Sequence, residues 1–305
     1  MAFNRIQNHE LPDGSIARVF PFHVSMEGME SVLLCREEED YDALQKCIYV
    51  CCWSNNVIVV ADVEMSNHGH FIILAESLNH AQRAAADVKK RHAQYIARKY
   101  NEHNILAHSD IKVIYLDSDW YLRNALAYVP RNALDTGCSI DRYKWSSYRA
   151  MFSSGVPEGY AKRVSALTRR DKEAILHTHS DLSRVPWMVD KSGILIPATA
   201  CDHRYAESAF SNDQAFFLKT VGSVNCAEME LKLVTNPRRR LSDSDMRNTV
   251  KDIAQRWFNT GIIDLSPEQK TRLVPHLYRS HNTTVAQLAR CIGLSQEQVK
   301  SYIRR

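Results

Sequence analysis

Apolar residues fall in short runs through the first half of the chain and recur at helical spacing between those runs. Ser15 to Val24 reads as a strand, with Pro21 marking a bend or an edge position. Glu37 to Trp53 reads as a helix: its acidic start suits the positive end of the helix dipole, and Tyr41, Leu44, Ile48 and Cys52 share one face. Val57 to Glu64 and Gly69 to Leu74 have strand character and are joined by the tight Met65-Ser66-Asn67 turn. Asn79 to Tyr100 is an Ala-rich helix with an interleaved basic face. Ile111 to Leu116 is a further strand. Asp117-Ser118-Asp119 then caps a helix running through Tyr121, Leu122, Leu126 and Val129. Together these predict an α+β fold, a small sheet with helices packed on it.

Phe152 to Gly159 (FSSGVPEG) reads as a linker, so the expected domains are 1–155 and 156–305. The second half is mostly helical. Its end, Thr284 to Ile303, has helix-turn-helix spacing within about 283–304, with Ala289 where two helices touch, Gly293 in the turn and Ser295 capping the second helix. Gln296, Gln298, Lys300, Ser301 and Arg304 are expected to face outward for groove contacts. A helical hairpin that only packs has the same pattern.

Composition narrows the class. The 305 residues suffice for two domains, and no apolar stretch reaches membrane-spanning length. The N-terminus lacks the apolar core of a signal peptide, and the eight cysteines form no CxxC pair. Both point to a cytoplasmic protein with reduced thiols. The net charge of +4 is uneven: residues 1–155 hold 16 Lys/Arg against 19 Asp/Glu, the remainder 23 against 16. The basic half implies an anionic partner.

Asn67-His68-Gly69-His70 runs into Phe71-Ile72-Ile73-Leu74. On a strand, His68 and His70 point the same way and can offer two imidazoles to one cation. A polar pair on a solvated sheet face explains the same spacing.

Five segments, taken in order, resemble the catalytic domain of the HUH single-tyrosine transposases, in the branch of REP-associated tyrosine transposases. They are FHVSMEG, MSNHGHFII, VKKRHAQYIARKY, DSDWYLRNALAYVPRNAL and YKWSSYRAM, and the resemblance spans residues 15–148, closing at the W-S-S-Y of the last segment. The resemblance implies a ferredoxin-like antiparallel sheet, His68 and His70 as metal ligands, Asn132 as a third ligand through its amide oxygen, and Tyr128 as nucleophile. It also implies Mg²⁺ or Mn²⁺ as cofactor, and as partner single-stranded DNA beside a hairpin or repeat. It leaves a homodimer open. A divalent cation would neutralise developing charge on the phosphate, while the tyrosine conserves bond energy as a phosphotyrosine. Arg83, Lys89, Lys90, Arg91 and Arg98 on the basic helix are candidates to track phosphates, with His92 and Tyr95 to stack on bases. Arg238, Arg239 and Arg240 would meet a duplex or hairpin stem. Lys/Arg runs on a helix are equally met as a solvated face.

Three positions depart from the family pattern. Gly69 replaces a bulky apolar residue and leaves a gap in the strand's back face. Pro130 falls between Tyr128 and Asn132, predicting a kink or stop before Asn132. Ser66 stands where the family has proline. A DNA-binding regulator that keeps the fold without cutting is the alternative function. A plasmid-replication or relaxase-type nickase shares the chemistry, but the spacing around Tyr128 is that of the transposases.

Overall fold

The computed structural model describes residues 3–27, 33–103, 106, 109–153, 161–224, 226, 229, 243–280 and 283–303. Two compact units divide the chain: the first holds Met1–Glu27 and Leu34–Leu233, the second the helices after Val234.

The first unit is built on an antiparallel sheet. Its strands are β1 (Gln7–Glu10), β2 (Ile16–Glu27), β3 (Ile58–Glu64), β4 (His68–Ala75) and β5 (Asp110–Tyr115). β2 pairs β4 on one side; its other side is shared, β1 taking Ile16 to Val19 and β5 taking Phe22 to Glu27. β3 closes the far side of β4. β2 is thus a central strand, not an edge. Pro21, which has no N–H to give, falls where β1 has ended and β5 has not begun.

The helices follow the expected pattern. α1 (Glu38–Ser54) starts where Asp40 accepts from the backbone N–H groups of Arg36 and Glu37. Ser77 caps α2 (Leu78–Tyr100), and Asn101 ends it in the left-handed region at φ 55°. Ser118 caps α3 (Asp119–Arg131). α1 and α2 lie side by side on one sheet face, where Leu44 of α1 rests against Gly69. α3 covers the other face: Tyr121, Leu122, Ala125, Leu126 and Val129 pack with Val63, Ile72 and Leu74.

The linker expectation is corrected. Residues 154–160 lie outside the described ones, but the chain beyond them returns to the first core. α4 (Arg169–Leu176) and α5 (Pro197–Ala200) lead to α6 (His203–Ala209) and α7 (Gln214–Ser223). Tyr205, Phe210 and Phe217 join the α3 cluster, and Phe217 stacks on Tyr148 with centroids 5.4 Å apart. Arg123 Nε also donates to the Ala209 carbonyl at 2.7 Å. Without these aromatics the outer side of α3 would be bare, so the unit boundary falls near 233, not at 155.

The second unit contains α8 (Asp243–Phe258), α9 (Pro267–Ser280), α10 (Val285–Ile292) and α11 (Gln296–Ile303) around Val250, Leu273, Leu277, Leu288 and Val299. Gly293 adopts φ 71° between α10 and α11, a conformation that suits glycine. No helix among the described residues is long and apolar enough to cross a membrane.

One polar cluster lies inside the first unit. A bulge at Val60 re-phases β3 and turns Asp62 and Glu64 toward α1, both fully buried. Tyr49 donates to Asp62 at 2.6 Å, and Gln45 Nε2 reaches Asp62 at 3.0 Å and Glu64 at 3.3 Å. Burial, then the charge of Asp62, pushes the Glu64 carboxyl well above its usual range. Folded Glu64 therefore keeps a proton that the unfolded chain loses above about pH 4.3. Its contribution to stability is full below that pH and falls as pH rises. Glu64→Gln keeps an N–H donor and removes the titration. Urea denaturation from pH 5 to 8 is expected to show the variant gaining on wild type with pH, by on the order of 1–3 kcal/mol; parallel curves would refute this.

Candidate functional site

The period of two along β4 sends His68, His70 and Ile72 to the face that α3 covers, and Gly69 and Phe71 to the α1 face. The β2 register places Glu27 opposite His68, Ser25 opposite His70 and His23 opposite Ile72, so all share that face. On the next strand, Lys112 lies opposite Ser25. α3 then brings Tyr128 down on His70, with ring centroids 5.2 Å apart. His68 and His70 are 5.0 Å apart by the same measure, and His23 is 5.3 Å from His70.

Pro130 does not break the approach to Asn132. Because it stands in the last turn, α3 continues to Arg131, and Asn132 follows with φ −55° and ψ −27° into a 3-10 turn, Asn132–Thr136. The Asn132 amide nitrogen donates back to the carbonyls of Tyr128 (2.8 Å) and Val129 (3.2 Å). Those two bonds fix the amide, leaving Oδ1 aimed at His68 Nε2 at 3.1 Å. His68 Nδ1 meets Asn67 Oδ1 at 2.8 Å. The His68 tautomer with Nε2–H donates to Asn132 Oδ1; the tautomer with Nδ1–H on Asn67 leaves an Nε2 lone pair beside Asn132 Oδ1, where a cation would be held by both atoms. Two adjacent ligands of an octahedral cation at about 2.1 Å are themselves about 3 Å apart, so the pair fits. His70 Nδ1 is buried with no hydrogen-bond partner.

The imidazoles of His70 and His23 are kept neutral, the form that binds metal. Burial holds His70 well below the usual histidine range, with His23, His68 and Lys112 adding to the effect. Burial alone pushes His23 down to about 3, and both its ring nitrogens lack a partner. Among the described residues no group of three or more His, Cys, Asp or Glu side chains could hold one metal ion. A cation here would rest on His68, His70 and the Asn132 amide, with water.

The Gly69 gap is filled from α1. A Cβ at Gly69 would meet Leu44 Cδ2 at 3.8 Å and the Val63 carbonyl at 3.6 Å, both ordinary contacts. Leu44 therefore supplies the bulk that the strand's own residue lacks.

The expected DNA-contact residues divide. Arg83, Lys90 and Arg98 are exposed, but α2 lies with α1 on the face away from His68 and His70. Lys89 Nζ donates to the Ser109 carbonyl at 2.7 Å, and Arg91 is half-buried. The expectation that His92 stacks on bases is corrected: it is fully buried and bonded to the Leu34 carbonyl at 2.7 Å. Tyr95 is half-buried and donates to Asp40 at 3.0 Å. On α11, Gln296 and Lys300 are exposed. Gln298 is exposed but occupied, since its Oε1 accepts from the Ser295 N–H at 2.8 Å while Ser295 Oγ accepts from its own N–H. It is the far half of a capping box, a signal already present in Ser295-x-x-Gln298. Arg238, Arg239, Arg240 and Arg304 lie outside the described residues.

His23, Glu27 and Lys112 were missed in the sequence. They alternate on β2 or stand alone on β5, and nothing local says which strand they face.

No protein-family model and no curated protein matches the chain. Among solved structures, it is similar to a REP-associated tyrosine transposase bound to a REP hairpin, at 14% identity and a TM-score of 0.33. The likeness covers 43% of this chain and 77% of that one. At that score it carries no argument, and the reading of the site rests on its geometry.

Leu44 makes Gly69 testable. Gly69→Ala is expected to stay within about 1 kcal/mol of wild type in urea denaturation. Gly69→Leu must enter the space Leu44 holds, at a cost of about 1–3 kcal/mol, and Leu44→Ala in the same chain should recover part of it. Equal stability of the Ala and Leu variants would show that Leu44 does not fill the gap.

Proposed function

We propose that this chain nicks and rejoins single-stranded DNA through a covalent bond to Tyr128, in the manner of a single-tyrosine transposase. One observation carries the reading: His68 Nε2 and Asn132 Oδ1 face each other at 3.1 Å, one helical turn from a tyrosine packed on His70. The same two atoms that share a hydrogen bond would hold a cation beside a phenol.

His68, His70 and Asn132 would hold a divalent cation, Mg²⁺ or Mn²⁺, which would neutralise charge on the scissile phosphate. The remaining work belongs to the protein. Asn67 orients His68, and the Tyr128 and Val129 carbonyls orient Asn132, so the ligand atoms are set before substrate arrives. The Tyr128 oxygen bonds to phosphorus as the phosphorus–oxygen bond to one side of the nick breaks. The phenolic proton is given up and the departing oxygen takes one. A strand hydroxyl reverses the exchange, so rejoining needs no outside energy. In the second unit, Gln296 and Lys300 on α11 would supply duplex or hairpin contacts in a helix-turn-helix, and the α2 arginines would hold flanking strand away from the cut.

A second reading, a DNA-binding regulator that no longer cuts, is favoured by one fact: Tyr128 is only 5% exposed. For attack its ring must turn outward when DNA arrives. Incubation with Mn²⁺ and a labelled, hairpin-flanked single strand separates the two. A covalent protein–DNA adduct is expected from wild type and none from Tyr128→Phe. A wild-type protein that binds the strand without forming an adduct would leave the regulator.

A further inference from the structure

Lys112 is a charged side chain of the site face that is largely withdrawn from water. Its side chain is 12% exposed, and among the described residues its ammonium pairs with the Glu27 carboxylate alone, at 3.4 and 3.5 Å. Charge-assisted N–H···O bonds close to about 2.7–2.9 Å. The other sheltered lysines reach that range: Lys89 to the Ser109 carbonyl at 2.7 Å, and Lys99 to Asp40 at 2.9 Å. Glu27 itself is 41% exposed and also accepts from Ser25 Oγ at 3.2 Å. Lys112 is thus a desolvated cation in a loose pair, able to exchange one oxyanion for another.

Its place is set by register. Ser25 stands opposite both His70 and Lys112, so the three lie in one row across β4, β2 and β5, while Glu27 stands opposite His68. With strands about 4.8 Å apart, the backbones carrying His70 and Lys112 are on the order of 10 Å apart, with Ser25 between them. On the same face His70 and His23 keep buried ring nitrogens without a hydrogen-bond partner. A tetrahedral oxyanion entering at this row would meet a lysine ammonium and an imidazole edge together. The field of Lys112 is already felt there, as one of the causes that keep His70 neutral.

We propose that Lys112 is the phosphate-binding cation of this site: it leaves Glu27 to hold a non-bridging oxygen of the phosphate that lies beside His68 and His70. The inference rests on the nicking reading for the identity of that phosphate, but the anion seat is testable without turnover. Lys112 positions the phosphate and polarises it; Glu27 keeps the cation in place until DNA arrives.

Full-length protein with ¹⁵N-labelled histidine rings, free of metal, is titrated with inorganic phosphate by NMR. Saturable shifts of the His68 and His70 rings are expected in wild type, and Lys112→Met should need at least about tenfold more phosphate for the same response. Lys112→Arg, which keeps the charge, should retain the response, and Glu27→Gln, which removes the competing oxyanion, should retain or strengthen it. No response in wild type, or an unchanged one in Lys112→Met, would overturn the proposal. So would a Glu27→Gln variant that fails as Lys112→Met does, because the lysine would then matter only as a partner of Glu27. The adduct assay separates this from the function itself. Phosphate binding without any wild-type adduct would sink the nicking reading and spare Lys112, whereas wild-type adduct rates in Lys112→Met would do the reverse.

Discussion

The pairing of β2 with β4 holds the candidate site together, because His68, His70 and the β2 residues opposite them take their direction from that register. Side chains on a strand alternate faces, so a slip of one residue would carry His68 and His70 to the α1 side and bring Gly69 and Phe71 under α3. Apolar burial resists the slip from both faces: Phe22, Val24, Met26 and Phe71 are buried beside α1 and α2, and Ile72 and Leu74 beneath α3. β2 is held further by having neighbours on both sides, with β1 and β5 sharing one edge. The same register sets Ser25 and Glu27 opposite the histidines, and the pairing of β2 with β5 adds Lys112 beside Ser25.

On this fixed face the protein tolerates polar groups that an ordinary core would reject. An unsatisfied buried donor or acceptor costs about 1–3 kcal/mol, yet His23 and His70 both keep ring nitrogens without partners. Beside them His68 Nε2 and Asn132 Oδ1 share a hydrogen bond of 3.1 Å. Such conflicts gather at functional sites because the surrounding fold overrides local preference. Here α3 does so: its apolar side is committed to Val63, Ile72 and Leu74, and its last turn carries Tyr128 and Asn132 to the histidines whatever their own preference.

The parts of this arrangement that are local were legible in the sequence. The strand pair around His68 and His70, the capped helix to Arg131 and the two helices about Gly293 all follow from periodicity and end signals within a few residues. Pro130 marked the stop correctly, since α3 ends at Arg131; what it could not show is that Asn132 keeps helical dihedrals and so stays one turn from Tyr128. The boundary at 155 failed for a different reason. Ser, Gly and Pro mark a loop, but whether a loop also ends a unit depends on what later residues bury, and Phe217 stacks back on Tyr148. The basic stripe of α2 was equally visible, yet its sheet face was not, since that follows from tertiary packing on α1. His23 and Lys112 stayed hidden because strand pairing is non-local.

The two faces of the sheet are also linked by charge. Asp62 and Glu64 lie buried on the α1 side, one strand thickness from the histidine face. A unit charge there acts across roughly 10 Å of protein, where an effective dielectric near 20 gives an interaction of about 1.7 kcal/mol. That is enough to favour a cation between His68 and Asn132, and enough to disfavour a phosphate beside Lys112 by a similar amount. One negative charge beneath the sheet would suit the proposed cation, whereas two would work against the proposed phosphate. Burial acts on both carboxyls, raising Asp62 and, with the charge of Asp62, raising Glu64 well above its usual range. The acid pair under β3 therefore presents the opposite face with less negative charge than two freely ionised carboxylates would.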